Sequence, residues 1–159
     1  MYWTKDGIGG TGGIFKADMD GSNVVEIHSG LSWASGIAID FESLRLFWTD
    51  WDRDQVRTSN LDGTDAQPFV QLDRDQNPWG IAITTDRIFW GKGFADSESL
   101  QSSDKTGQDI KTLYNGTHAI RALTVATPNL AQARPNHCEG QTCSAGICVL
   151  SRDSFRCVA

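Results

Sequence analysis

The 159-residue chain sets 14 Lys and Arg against 20 Asp and Glu, a net charge of −6, with 39% hydrophobic and 21% charged residues. That length suits one ordinary domain, or one domain with a small appendage, and the composition is that of a globular chain rather than a disordered one. The acidic balance has no basic cluster to offset it, which argues against nucleic acid, and no apolar run approaches the roughly 18–20 residues that would insert into a bilayer.

The chain opens directly on a strand-like segment, Tyr2-Trp3-Thr4-Lys5, with no secretory signal before it. Gly7-Ile8-Gly9-Gly10-Thr11-Gly12-Gly13 follows; it lacks the lysine of a phosphate-binding loop and leads into strand-like Ile14-Phe15-Lys16, so it is expected to be a flexible loop between strands. From there the chain repeats. Phe47-Trp48-Thr49-Asp50 and Phe89-Trp90-Gly91-Lys92 echo the opening segment, with tryptophans 45 and then 42 residues apart. Met19-Asp20-Gly21, Leu61-Asp62-Gly63 and Lys105-Thr106-Gly107 form a second series, with glycines 42 and 44 residues apart. Gly36-Ile37-Ala38-Ile39-Asp40 and Gly80-Ile81-Ala82-Ile83 form a third, with Ala122-Leu123-Thr124-Val125 as a weaker copy.

Each repeat spells four strands. The Gly-Ile-Ala-Ile segments are short, apolar and bounded by turn residues, as in a strand buried on both faces. The aromatic segments are second strands. Polar, alternating Gln55–Leu61 is a third strand lying further out, expected to close through a tight two-residue hairpin at Asp62-Gly63. Gln67–Leu72 is a fourth, and its Pro68 cannot donate to a ladder, which suits an outer edge. Four strands per repeat, a period in the low forties and hydrophobicity falling outward predict an all-β fold made of about three four-stranded propeller blades. A plain β-sandwich is the alternative.

Cys138, Cys143, Cys148 and Cys157 all lie in the last 22 residues. An even, dense set in a short tail points to a disulfide framework and an oxidising compartment. Zinc is the rival, but there is no C-x-x-C and only His137 stands nearby.

These residues resemble the YWTD, or class B, repeats of the low-density lipoprotein receptor family. Phe47-Trp48-Thr49-Asp50, the Asp-Gly turns and the Gly-Ile-Ala-Ile strands carry the likeness, and Pro128, Gln132, Pro135, Asn136 and Cys138 are similar to that family's linker into an EGF-like module. The resemblance implies a propeller segment over 1–127, a linker over 128–137 and a truncated EGF-like module over 138–159, with Ala159 where a fifth cysteine would stand. Four cysteines permit three pairings; the EGF likeness implies Cys138–Cys148 and Cys143–Cys157. It implies six blades where three repeats are present, so the missing blades would come from the parent chain or a second copy. The family's motif Asp, which ties blades together, is present as Asp50 and replaced by Lys5 and Lys92.

No catalytic constellation is visible: His28, His118 and His137 have no nucleophile or carboxylate at a suggestive spacing. No cofactor is called for, and no metal. Asp50-Trp51-Asp52-Arg53-Asp54 has the alternating carboxylates of a calcium loop but Gln55 and Leu61 at the sixth and twelfth places, so a solvated turn is expected. His28 and His118 are open as pH sensors, with surface or linker histidines as the plain alternative. Asn115-Gly116-Thr117 is a glycosylation sequon in an expected surface turn.

Antiparallel alternation sends the second-to-third and fourth-to-first connections to one end of each blade, and the Asp-Gly turns to the other. The first end collects Trp33, Trp51, Asp52, Arg53, Asp54, Arg74, Asp75, Trp79, Phe94 and Asp96. Aromatics among charges anchor protein interfaces, so this end is the candidate ligand-binding face, unless Trp33 and Trp79 merely plug gaps between blades. The expectation is a non-enzymatic module that binds extracellular protein ligands, in a lipoprotein-receptor-related single-pass receptor of endocytic or Wnt-coreceptor type. A basement-membrane protein, secreted into the matrix, and a propeller hydrolase are the alternatives.

Overall fold

The computed structural model describes residues 1–93, 98–116 and 120–125, and the backbone alone of 147–151 and 154–158. The chain divides into two compact units, one of residues 2–16 and 25–125, the other of residue 1, residues 17–24 and 126–159. Thirteen strands are present among the described residues, and no helix.

The first unit holds three antiparallel meanders. The first sheet is β1 (Tyr2–Lys5), β2 (Gly12–Lys16) and β3 (Val25–Leu31). The second is β4 (Ala34–Asp40), β5 (Arg45–Asp50), β6 (Gln55–Asn60) and β7 (Gln67–Gln71). The third is β8 (Pro78–Ile83), β9 (Arg87–Lys92), β10 (Glu98–Asp104) and β11 (Lys111–Gly116). The first sheet has three strands, because Tyr2–Lys5 is the repeat's second strand. The weak copy at 122–125 is not a strand, since no described segment lies beside it as a ladder partner. It nevertheless stands where an inner strand would. A methyl group placed on Gly36 would meet Trp79 O at 2.5 Å, and one on Gly80 would meet Ala122 Cα at 2.9 Å. Gly36 thus packs on Gly80's strand as Gly80 packs on Ala122, which is why these positions carry no side chain.

The aromatic strand explains how the sheets join. Neighbouring residues of a strand face opposite ways. Leu46 and Trp48 point to the first sheet and are buried with Ile14, Leu31 and Ala34. Phe47 points to the third sheet and is buried with Val56, Val70, Ile81, Ile88 and Trp90. Trp48 and Trp90 are almost wholly buried, at 1% and 0% exposed. In each case the tryptophan faces the preceding sheet.

A threonine crosses each seam. Thr4 Oγ1 donates to Ser35 O at 2.9 Å. Thr49 Oγ1, one repeat later, accepts from Gly36 N at 2.8 Å and donates to Trp79 O. Ser35 and Trp79 are equivalent positions, each just before the packed glycine. The family resemblance gave the inter-sheet role to the motif Asp instead. Asp50 is fully buried, but it bonds within its own sheet, accepting from Arg53 N at 3.3 Å and from Arg53 Nη1 at 2.8 Å. A side chain on the same face as Trp48 and set at the strand's end can reach the following turn, whereas Thr49 faces the next sheet.

The Asp-Gly connections are wider than a two-residue hairpin: six residues, 61–66, separate β6 from β7, and 105–110 separate β10 from β11. Asp62 Oδ1 accepts from Thr64 N at 2.9 Å and Thr64 Oγ1 at 2.6 Å, so its side chain organises a loop rather than a reversal of two residues. Gly63 and Gly107 have φ of 92° and 81°, and each lies against the outer strand of the preceding sheet, at Ile27 O and Phe69 O.

In the second unit, Asp18 N donates to Ser22 O at 2.9 Å, and Asp20 Oδ1 accepts from Ser22 N at 3.0 Å and from its hydroxyl at 2.7 Å. β12 (Ile147–Ser151) and β13 (Ser154–Val158) form a hairpin in which Cys148 stands opposite Cys157. Cys138, Cys143, the linker and His137 lie outside the described residues, so the expected boundaries and pairings fall largely there.

Candidate ligand-binding face

Trp33 ends the connection from β3 to β4, Trp51 opens the turn from β5 to β6, and Trp79 is the second residue of β8. The chain brings all three together. The Trp33 and Trp51 rings meet edge-on, centroids 4.3 Å apart at 71°, and Trp51 N donates to Trp33 O at 2.9 Å. Trp79 stands 6.4 Å from Trp51 at 63°. The guanidinium of Arg121 lies over Trp79, 5.1 Å from the ring centroid. All three tryptophans are half-buried. They fill space between sheets and still present ring surface, so the two readings of Trp33 and Trp79 are compatible in geometry.

Arg121 was missed in the sequence. The signal was there: Arg121-Ala122-Leu123 aligns with Trp79-Gly80-Ile81, so the weak third copy should have put a side chain at the end of the tryptophan row.

The charged candidates divide by how much of their bonding capacity the fold uses. Asp54 takes φ of 51° and is spent on the backbone: its carboxylate accepts from Asn77 N at 2.7 Å and Asp75 N at 3.0 Å, which fixes the 72–77 connection. Arg53 is held by buried Asp50 but keeps 45% of its side chain exposed. Asp52 is exposed. Arg74 and Asp75 are 94% and 85% exposed, 3.8 Å apart, and free to reorient. Lys92, in the place of Asp50 one repeat later, donates to Gln76 Oε1 at 2.8 Å; burial lowers its pKa against the opposing pull of Asp73. Phe94 and Asp96 lie outside the described residues.

Two other candidates sit elsewhere. His28 packs in the first seam: its Nε2 is 3.0 Å from Ser59 Oγ and its ring 4.8 Å from that of Trp48. Burial first, and then the charge of Arg57, pushes its pKa below the usual histidine value. His118 lies outside the described residues. Asn115 is exposed, but in β11 opposite Ser99 rather than in a turn, because the strand continues through Gly116. Among the described residues, no group of three or more His, Cys, Asp and Glu could hold a metal ion, and no helix is long and apolar enough to cross a membrane.

No family model matches the chain. It is 28% identical over 155 residues to the vitellogenin receptor of Solenopsis invicta, covering 96% of this chain and 8% of that one. It is 31% identical over 153 residues to the vitellogenin receptor Yl of Drosophila melanogaster, covering 95% and 7%. It is 32% identical over 108 residues to the low-density lipoprotein receptor-related protein 5 of Homo sapiens, covering 68% and 6%. The chain thus spans less than a tenth of the length of these relatives. Among solved structures, a chain in a nidogen–laminin complex matches with a TM-score of 0.59 at 25% identity, over 65% of this chain and 40% of that one. A luciferin-regenerating enzyme, 16% identical with a TM-score of 0.58 over 76% of this chain and 42% of its own, shares the fold alone.

The joined sheets, the motif tryptophans and these matches define an all-β segment of the YWTD-propeller type. A fragment of a low-density lipoprotein receptor family protein fits these matches.

Proposed function

We propose that the chain is a non-enzymatic, protein-binding part of an extracellular receptor, and that the tryptophan row is its ligand-binding face. The observation that carries this is the convergence of Trp33, Trp51 and Trp79 under Arg121, with the exposed charges of Asp52, Arg53, Arg74 and Asp75 on the connections after β5 and β7. Rigid aromatic rings with a mobile charged rim are the composition of an interface centre. The receptor relatives support a single-pass parent displaying this segment outside the cell, in endocytic or Wnt-coreceptor fashion. Within this reading Asn115 carries glycan and the tail is closed by Cys138–Cys148 and Cys143–Cys157; mapping without reduction that joined Cys138 to Cys143 would contradict the pairing.

The nidogen–laminin match supports a second reading, a matrix protein. One experiment separates the two. Vitellogenin and laminin are each passed over the immobilised chain. Vitellogenin binding that weakens at least tenfold in Trp79→Ala supports the receptor; laminin binding with the same loss supports the matrix protein. Binding that ignores Trp79→Ala and Arg121→Ala together moves the site off this face.

A further inference from the structure

Each sheet of the first unit has an outermost strand with a single ladder partner. β3, β7 and β11 pair with β2, β6 and β10 and, among the described residues, with nothing beyond them. A complete third sheet follows β7, and its outer edge is open all the same, so the openness belongs to the plan of the sheet. An open edge offers unpaired amide and carbonyl groups to any other extended chain, and folded proteins blunt it with charge, proline or bulges.

The three edges can be compared at one register position. Trp3, Trp48 and Trp90 pair with Phe15, Arg57 and Gln101, which pair in turn with Glu26, Pro68 and Thr112. The first edge has a carboxylate at this place and two register shifts. The second has a proline, with no N–H to offer, and one shift. The third has one shift and neither a charge nor a proline. Its one charged residue, Lys111, is drawn into an ion pair with Asp109 of the preceding loop, 2.8 Å away. The third edge is therefore the least protected.

The one glycosylation sequon of the chain, Asn115-Gly116-Thr117, falls on that strand. Asn115 stands opposite Ser99 as Gln71 stands opposite Gln55 in the second sheet. Gln71 is tied down: it accepts from Gln55 Nε2 at 2.6 Å and donates to Leu72 O at 3.0 Å. Ser99 is too short to hold its partner in that way, and the Asn115 amide has no hydrogen bond among the described residues. Val70, beside Gln71, packs toward the third sheet, so Gln71 and its counterpart Asn115 turn toward the sheet before their own. Asn115 is thus exposed with that neighbouring sheet in place.

We propose that Asn115 carries an N-linked glycan that covers the outer edge of the third sheet, in place of the carboxylate and the proline that blunt the other two. This rests on the extracellular reading, since the donor is the lipid-pyrophosphate-linked oligosaccharide of the secretory pathway. Nδ2 of Asn115 bonds to the anomeric carbon of the donor, and the bond from that carbon to the pyrophosphate oxygen breaks. The lipid pyrophosphate leaves with the electron pair, Nδ2 gives up one proton, and nothing is oxidised or reduced. β11 lies three strand spacings from β8, about 14 Å, so the glycan leaves Trp79 and its row clear.

The test is to secrete the chain from cultured cells behind a leader peptide. Release with peptide N-glycosidase, which converts an occupied asparagine to aspartate, then reads occupancy by mass. Asn115 should be occupied in most molecules. Thr117→Ala removes the sequon; it should associate at least fivefold faster by light scattering, with hydrogen exchange at residues 112–115 at least tenfold slower in the associated form. Adding Thr112→Pro, which copies the second edge, should return association to the glycosylated rate. Should that change prevent folding, Thr112→Glu, which copies the first edge, takes its place. An unoccupied Asn115 in the secreted chain overturns the site. Equal association with and without the sequon, or association that the Thr112 change does not reverse, overturns the shielding role. Ligand binding that depends on Trp79 should be the same in Thr117→Ala as in the unaltered chain, so association and occupancy are read apart from the proposed binding face; a change in that binding overturns the placement of the glycan clear of the row.

Discussion

The two seams have the same plan and different chemistry. In the second, Trp90 is packed beside Val70, and its indole N–H donates to Gln101 Oε1 at 3.2 Å. In the first, the equivalent places hold His28 and Arg57, one ring 4.8 Å from Trp48 and one guanidinium 5.8 Å from it. A titratable group thus replaces an aliphatic one, and a cation replaces an amide, around the same buried indole. Both seams share the tryptophan and the crossing threonine. Their immediate neighbours differ, and the first seam sets a titratable ring beside the buried indole.

The largest effect should come from the shared part. Trp90→Ala and Trp48→Ala each empty a fully packed site and should each cost about 3–5 kcal/mol of stability in urea titrations. A loss below about 1 kcal/mol at one of them would show that its seam is not a core at all. Next is the crossing bond. Thr49→Val keeps the shape but strands Gly36 N and Trp79 O, both in the seam, and should cost about 1–3 kcal/mol. Thr4→Val, which strands Ser35 O alone, should cost less; equal losses would remove the distinction between the seams on this point.

The proton response comes third and separates the seams most sharply. Because the folded-state pKa of His28 lies below its unfolded value, the unfolded chain binds more protons, so this contribution is intact above about pH 6.5 and declines as pH falls through that value to the lower folded-state pKa. His28→Val, which copies the second seam, should flatten the stability profile between pH 7.5 and 5. An unchanged slope would assign the acid sensitivity to other groups. Asp40 acts in a separate window. Burial raises its pKa, but hydrogen bonds from Lys105, Ser43 and the Glu42 amide outweigh this and lower it, so its contribution is lost only below about pH 4.

The smallest effect belongs to a repeated surface clamp. Arg45 Nη1 reaches Asp65 at 2.9 Å, and Arg87 Nη1 reaches Asp109 at 2.9 Å, with the aspartates 57% and 49% exposed. Either Arg→Ala change should cost about 0.2–1 kcal/mol and less at high salt. A matching loss in both would mark the clamp as part of the common plan.

Much of the architecture was readable because strands speak through period two. The Phe-Trp pair announces that both faces are buried, and the spacing of Trp3, Trp48 and Trp90 announces that the pattern recurs. What could not be read depended on partners distant in sequence. Thr49 looks like any strand threonine until Trp79 O is placed beside it, 30 residues on. The Arg45 clamp joins residues 20 apart, one of them in a loop whose width the Asp-Gly signal understated. Strand alternation sends Trp33, Trp51 and Trp79 to one end of the sheets, and their rings do lie side by side. The carboxylate of Asp54 was not separable from its exposed companions, because nothing in the sequence says that two amide hydrogens of the next connection will claim it.

The crossing threonine also bears on how such a chain can grow. Thr4 and Thr49 each donate to the carbonyl before a packed glycine, Thr4 to Ser35 O and Thr49 to Trp79 O in the next sheet, while Thr49 also accepts from Gly36 N of its own sheet. Donor and acceptor therefore travel in the same genetic unit, one serving the copy behind and the other the copy ahead. Tandem duplication of that unit creates a finished junction at once, with no compensating change needed in the older copies. Loss of a whole unit heals as cleanly. A gene built this way can lengthen or shorten by recombination while every intermediate still has matched neighbours, provided the breakpoints keep phase. Gly91, which stands at the threonine's place in the third copy and has no hydroxyl to give, instead packs its bare backbone against Ile120.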